Sequence, residues 1–366
     1  RNTIGSGYIP QITAIMGPTA GGAVYSPALT DWVFMVKKSS YMYITGPDVI
    51  KAVIGEEVTH DDLGGAVAHA TKSGVCHFAT ENDEDCINKV KTLLSYLPDS
   101  CHSSLPIAPC TDSPDRDCPE LDKIIPDRAT RGYDMKQVVM AVADNNEIFQ
   151  PHELWAKNIL VAFIRIMGQP VGVIANNPKF GAGVLDTTAS DKASRFIRFC
   201  DAFNIPLLTF SDVPGYMPGT AQEWAGIISH GAKLLHAYSE ATVPKITVVT
   251  RKDYGGAYIG MCSKYLGADY VMAWPSAEIA VMGAEGACNI IYRREINEAA
   301  DPAARRSELV AAYEEQFNNP YFAASMGIIE EIIAPRETRK RVAVLLDALK
   351  DKSQVRPPRK HNNIPL

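Results

Sequence analysis

The chain has 366 residues, 46% of them hydrophobic, and a formal net charge of −6. That is enough apolar material for two globular domains with cores, and no basic stripe or aromatic-interleaved basic run points to nucleic acid. The longest apolar run, residues 159–167, is too short for a bilayer span and carries Arg165. Eight cysteines are scattered without a CxxC or a ligand-spaced His/Cys cluster, which predicts reduced thiols in a cytoplasm and no metal site.

In chain order, residues 9–16 read as a strand, 20–29 as a turn and helix, and 32–36 and 41–44 as strands. Pro47 is placed to open a short helix and Gly55 to close it. Residues 56–65 are acidic and polar, a loop or short helix. Thr80 is a candidate cap for a helix running to Leu97. Residues 98–126 carry Pro98, Pro106, Pro109, Pro114, Pro119 and Pro126 and read as a linker. Its cysteines, Cys101, Cys110 and Cys118, are expected to be solvent-exposed spectators.

The second half opens with a helix over 135–143. Two apolar runs, 159–166 and 171–175, flank a Gly168-bearing turn and read as an antiparallel pair. After them comes a polar, glycine-bearing loop that includes Asn177 and Gly183, a good ligand position at a strand end. Ser190 or Asp191 is read as the cap of the next helix. Residues 206–210 form a strand, and Thr220 with Glu223 suggests a capping box for a helix running to about Ala241. Further strands are expected over 245–250, 269–274 and 278–283, and helices over 286–291, 306–317 and 337–350. Residues 327–333 make a short β-like run, and the tail from Gln354 reads as an oligomer arm or a loose end. Strand and helix alternate, which predicts an α/β fold with right-handed crossovers and a largely parallel sheet.

One pattern occurs twice. Pro10, Ile12, Thr13, Gly21, Gly22 and Ala23 match Pro244, Ile246, Thr247, Gly255, Gly256 and Ala257 at a constant offset of 234. A period this long means two copies of one domain. A Gly-Gly-Ala turn between strand and helix lets the backbone come close to a ligand and aims successive N–H groups at one anionic spot. Read blandly it is a turn; read functionally it is an oxyanion hole. Two such turns in matching frames favour the second reading and suit a reaction in which two carbonyl oxygens each gain charge. Tyr25 and Ile259 follow the turns, so no carboxylate stands there. Asp253 precedes the second turn, either as a base or as a charge on the turn. The lack of a placed Glu or Asp favours a reaction whose second substrate supplies its own base.

The segments 17–31 (GPTAGGAVYSPALTD), 43–51, 62–69, 156–165, 195–206, 212–223 (DVPGYMPGTAQE), 230–249, 273–287 (AWPSAEIAVMGAEGA) and the RKHNNIPL end resemble the carboxyltransferase subunits of biotin-dependent acyl-CoA enzymes. That family includes propionyl-CoA carboxylase β, methylmalonyl-CoA decarboxylase α and large transcarboxylase subunits. The resemblance implies two crotonase-like (ββα spiral) domains. The first, with the linker, would occupy residues 1–121 and be incomplete, needing its missing part to cover one side of its sheet; the second would occupy 122–366. It also implies a homo-hexamer whose active sites lie between the first domain of one subunit and the second of another. Gly21 and Gly22 would hold the enolate oxygen of an acyl-CoA thioester, with Ala23 and Tyr25 beside it. Gly256 and Ala257 would hold the ureido oxygen of biotin, with Asn177, Gly183, Gly255 and Ile259 as further substrate contacts. Biotin would arrive on a carboxyl carrier protein, with a biotin carboxylase or a membrane decarboxylase subunit as further partners. Family members specific for propionyl groups often carry Asp where Ile259 stands. The segment 283–296 looks closer to the decarboxylase and transcarboxylase branch, with propionyl- or acetyl-CoA carboxylases as the near alternative. The expected location is the cytoplasm, the mitochondrial matrix in a eukaryote, or the periphery of a membrane complex. A biotin-independent crotonase-type hydratase or hydrolase is the alternative from a different enzyme class.

Overall fold

The computed structural model describes residues 1–126, 128 and 131–365. Its first unit holds β1 (Ile12–Ile15), β2 (Pro18–Ala20), β3 (Trp32–Val36), β4 (Tyr41–Tyr43) and β5 (Phe78–Thr80). These form two small parallel sheets, one ordered β1-β3-β5 and the other pairing β2 with β4. The break between β1 and β2 falls at Gly17-Pro18, where proline brings no N–H to a ladder. The helix Pro47–Ile54 starts on its proline and ends at a left-handed Gly55, as expected.

The second unit holds β6 (Ile159–Ile166), β7 (Gln169–Asn176), β8 (Leu207–Val213), β9 (Lys245–Tyr254), β10 (Tyr270–Ala273), β11 (Glu278–Ala280) and β12 (Glu331–Ile332). They make one sheet ordered β12-β10-β9-β8-β7-β6, with β11 paired to the far end of β9. The β6–β7 pair is antiparallel and the other pairings are parallel. The helices Thr187–Ala202 and Ile227–Glu240 make the crossovers into β8 and β9. Every residue of β8 is buried, the signature of a parallel strand covered on both faces.

The repeat is structural as well as sequential. Ile12 and Thr13 pair with Trp32 and Val33; Ile246 and Thr247 pair with Tyr270 and Val271. Pro18 on β2 faces Tyr41 on β4, and Lys252, late in β9, faces Glu278 on β11. The single strand β9 thus does the work of β1 and β2 together.

Both faces of the first sheet are covered at β3. On one, Ile15, Val33 and Met35 pack with Val24, Met42 and Ala66. On the other, Trp32, Phe34 and Phe78 share a core with Phe163, Phe196 and Phe199 of the second unit, and the Trp32 and Phe199 rings lie 4.7 Å apart. The aromatic side of the second unit thus covers β3, whereas β1, at the edge of the sheet, is buried only at Ile15. Arg195 reinforces the join by donating to the carbonyl of Thr30 at 2.8 Å.

Several expected boundaries move. Asp186, not Ser190 or Asp191, caps the helix Thr187–Ala202, accepting from the Ala189 amide at 2.7 Å. Asn82, not Thr80, caps Asp83–Leu94, because Thr80 is still in β5. The expected long helix from Thr220 is two helices, Thr220–Trp224 and Ile227–Glu240, and the first has no side-chain cap. In the linker, Cys118 is fully buried and its thiol donates to the Ala141 carbonyl, while Cys101 and Cys110 are partly buried. The linker packs on the second unit instead of lying in solvent. The tail is also fastened, with Arg356 Nε donating to the Glu240 carbonyl at 3.3 Å.

Candidate active site

The first glycine turn follows β2 as the 3₁₀ helix Gly21–Val24. Gly21 sits at φ +64°, a conformation costly for any residue with a Cβ. Its N–H donates to the carbonyl of Ile44, just past β4, at 3.1 Å. The Gly21 amide is therefore engaged in holding the turn against the second small sheet. The Gly22 amide lies in the opening turn, where N–H groups have no intrahelical acceptor. Gly22, Ala23 and Tyr25 are all exposed.

The second turn opens the helix Gly255–Gly260 directly after β9. Gly255 takes the same left-handed conformation, φ +60°. A Cβ on it would stand 2.9 Å from the carbonyl oxygen of Val281, a residue just past β11 as Ile44 is just past β4. Gly256 is exposed and Ala257 is buried, and both amides fall in the helix's unpaired first turn. The two turns thus share a construction: a left-handed glycine seated against a carbonyl, then an exposed glycine in the opening turn of a helix.

Beside the second turn lies an apolar cavity of about 380 Å³, bounded by Tyr216, Ile227, Ile228, Leu235, Gly256 and Ile259, with Glu223 also on its lining. Tyr216 is the residue missed by the sequence reading, although it lies inside the quoted 212–223 segment. The loop after β8 holds it through two backbone bonds, Leu185 N–H to Gly215 and Met217 N–H to Leu185, at 3.1 and 2.8 Å. Its ring lies 3.9 Å from where a Gly256 Cβ would be. Burial pushes its phenol up to about 12, so it stays neutral across working pH.

Asn177 and Gly183 lie in the loop after β7, and the structure engages both in packing. The Asn177 side-chain oxygen accepts from the Met135 and Lys179 amides, and its nitrogen donates to Asp134. Gly183 passes so close to β8 that a Cβ would meet the Asp212 carbonyl at 2.7 Å. Ile259 is brought to the cavity and Tyr25 to the equivalent place after the first turn.

Asp253 is neither a charge on the turn nor a base open to substrate. It lies within β9, 1% exposed, and Ser211 Oγ donates to its Oδ1 at 2.7 Å. Burial pushes its carboxyl up to about 8. The neighbouring Asp212 takes the guanidinium of Arg251 at 3.0 Å, with both side chains buried. The donors the two turns offer are backbone amides, suited to stabilising oxyanions and not to removing protons.

Residues 1–364 match the family model of the carboxyl transferase domain. The chain is 56% identical over its whole length to the propionyl-CoA carboxylase carboxyltransferase subunit of Haloferax mediterranei, covering 71% of that protein. It is 55% identical over its whole length to the methylmalonyl-CoA decarboxylase subunit alpha of Veillonella parvula, covering 70% of it. Its α/β fold matches a transcarboxylase 12S crystal structure with methylmalonyl-coenzyme A bound. There the TM-score is 0.97 at 50% identity, over all of this chain and 70% of the other. No helix among the described residues is long and apolar enough to cross a membrane.

Proposed function

The chain belongs to the carboxyl transferase domain family, and on that premise we propose that it moves a carboxyl group between biotin and the α-carbon of a short acyl-CoA such as propionyl- or methylmalonyl-CoA. The observation that carries this reading is the matched pair of glycine turns. One reaction with two oxyanions needs two sites built alike, and a duplicated fold supplies them.

In this reading Gly22 holds the thioester oxygen as the α-carbon becomes an enolate. Gly21 sets the turn, since its own amide is spent on Ile44. Gly256 and Ala257 hold the ureido oxygen of biotin, and the apolar wall of Tyr216 and Ile259 takes its ring system. The fit rests on the donor set: amides in the unpaired opening turn of a helix, exposed glycines at Gly22 and Gly256, and an apolar cavity alongside the second turn. When bound, biotin supplies the carboxyl carrier atom and the base that the turns lack. The protein's part is to orient both partners and stabilise charge, which is where most of such a rate enhancement comes from.

The two units are read as crotonase-like domains, and the assembly as a hexamer like the transcarboxylase 12S relative. Apolar side chains exposed near both turns support a second copy closing the site. Leu29 and Ile44 are 56% and 63% exposed near the first turn, and Ile228 and Val281 are 77% and 81% exposed near the second. A biotin-bearing carrier protein is the partner that brings biotin in, and the cytoplasm or mitochondrial matrix is the compartment.

The test is carboxyl exchange between methylmalonyl-CoA and free biotin by the purified protein. Exchange that depends on biotin is expected. Turnover of the acyl-CoA with no biotin present would refute this reading in favour of a hydratase or hydrolase.

A further inference from the structure

Asp253 is two residues from the second glycine turn, yet the mechanism above gives it no task. Its strand is paired on both sides at that point, with Ile279 of β11 and, across an irregularity in the ladder, with Val213 of β8. The carboxyl is thus enclosed between three strands and the helix the turn begins. Its hydrogen-bond donor is Ser211, whose own carbonyl is occupied by Thr250 Oγ1 at 3.1 Å. Arg251 is committed to Asp212, which also accepts from the Lys252 amide at 3.2 Å.

The groups that face this carboxyl are few. On β8 they are Ser211 and the carboxylate of Asp212. On its own strand Arg251, two residues back, is held by Asp212, and the phenol of Tyr254 donates to Glu278 of β11. On the helix it is Tyr258, whose phenol is raised chiefly by burial. A carboxyl this deeply buried, with a second carboxylate beside it, is driven toward its neutral form by burial first and by like-charge repulsion second.

We propose that Asp253 is a positioning residue kept as an uncharged acid in the strand end that leads into the second glycine turn, and that its ionisation disables the anion site formed by Gly256 and Ala257. This rests on the reading of that turn as the biotin-side oxyanion site. The physical logic is one of sign. The turn attracts a developing anion through partial positive charge on a few amides. A full negative charge buried in the strand end that leads into the same amides opposes it through a medium that screens poorly. The bond donated by Ser211 favours the ionised form, and burial outweighs it. The arrangement also explains why an acidic residue is tolerated next to an anion site.

Two measurements decide it. The first is the infrared difference spectrum between the native protein and Asp253→Asn. A protonated-carboxyl stretch is expected at neutral pH in the native protein only, fading as the pH is raised through about 8. The second is the pH profile of methylmalonyl-CoA/biotin exchange. The native rate is expected to fall roughly tenfold or more on the alkaline side. The Asp253→Asn rate, whatever its absolute value, is expected to keep its neutral level there. An ionised carboxylate at neutral pH, or an unchanged alkaline limb in the variant, would overturn the proposal. Absence of exchange from both proteins at every pH would sink the reading of the turn, while the infrared band still decides the state of Asp253.

Discussion

The same substitution at the two equivalent turn glycines should have unequal costs. Gly21 and Gly255 both sit in the left-handed region, at φ +64° and +60°. An alanine at either position takes on the left-handed penalty, about 1–2 kcal/mol. At Gly21 the nearest atom to the new methyl is the Ile44 oxygen at 3.9 Å, an ordinary contact, so the cost stops there. At Gly255 the methyl lands 2.9 Å from the Val281 oxygen. Either β11 or the turn must give, and such overpacking adds about 1–3 kcal/mol. Gly255→Ala should therefore lose about 2–5 kcal/mol in total. It should also lose exchange activity, since the amide of Gly256 moves with the turn. Urea denaturation of both variants, followed through the same transition as the native protein, measures the difference. If Gly21→Ala proves as destabilising as Gly255→Ala, the argument from the Val281 carbonyl is wrong.

Gly256→Val should fold, because the space at its Cβ is bounded by the Tyr216 ring at 3.9 Å. It should nevertheless cut biotin-dependent exchange by roughly a hundred-fold to a thousand-fold by covering an oxyanion donor, as steady-state exchange rates will show. Lys192→Met should lower stability by about 1.5–3 kcal/mol in denaturant titrations. The buried Lys192 ammonium donates to the carbonyls of His152, Trp155, Ala156 and Ile159 at 2.7–3.2 Å, and methionine leaves all four without that partner. A loss below about 1 kcal/mol would show that water replaces the ammonium. Asp253 also predicts a pH dependence of stability. Its folded-state acidity is weaker than the unfolded value of 3.8, shifted to about 8, so between these limits the native state keeps a proton that the unfolded chain has lost. Its contribution is complete below the unfolded value and is lost as pH rises through about 8, at up to about 1.4 kcal/mol per pH unit in between. Melting curves of the native protein and Asp253→Asn across that range should differ by this slope.

The duplication was the most legible feature, because its glycines, strand residues and spacing repeat at one offset, and the pairings of Ile12 and Ile246 follow it. The β6–β7 hairpin and the Pro47–Gly55 helix were equally open to reading, since each carries its own local punctuation. Helix caps were less so. Asp186, Ser190 and Asp191 are all competent caps, and which one serves is decided by where β7 delivers the chain. Asp253 was misread because the residues around it suggest a turn, whereas β9 runs on to Tyr254 before it breaks. Tyr216 went unnoticed because nothing near it in sequence says that Gly256 and Gly260 will pack against its ring. The first sheet's second covering was hidden for the same reason. Trp32 and Phe199 are far apart in the chain, and only the assembled sheet brings their rings together.

That aromatic seam limits how the molecule can move. Trp32, Phe34 and Phe78 are locked among Phe163, Phe196 and Phe199 with close-packed, edge-on rings, and interiors of this density do not flex continuously. The two halves cannot pivot on each other without tearing that seam, so within one chain the first turn and the second are fixed landmarks.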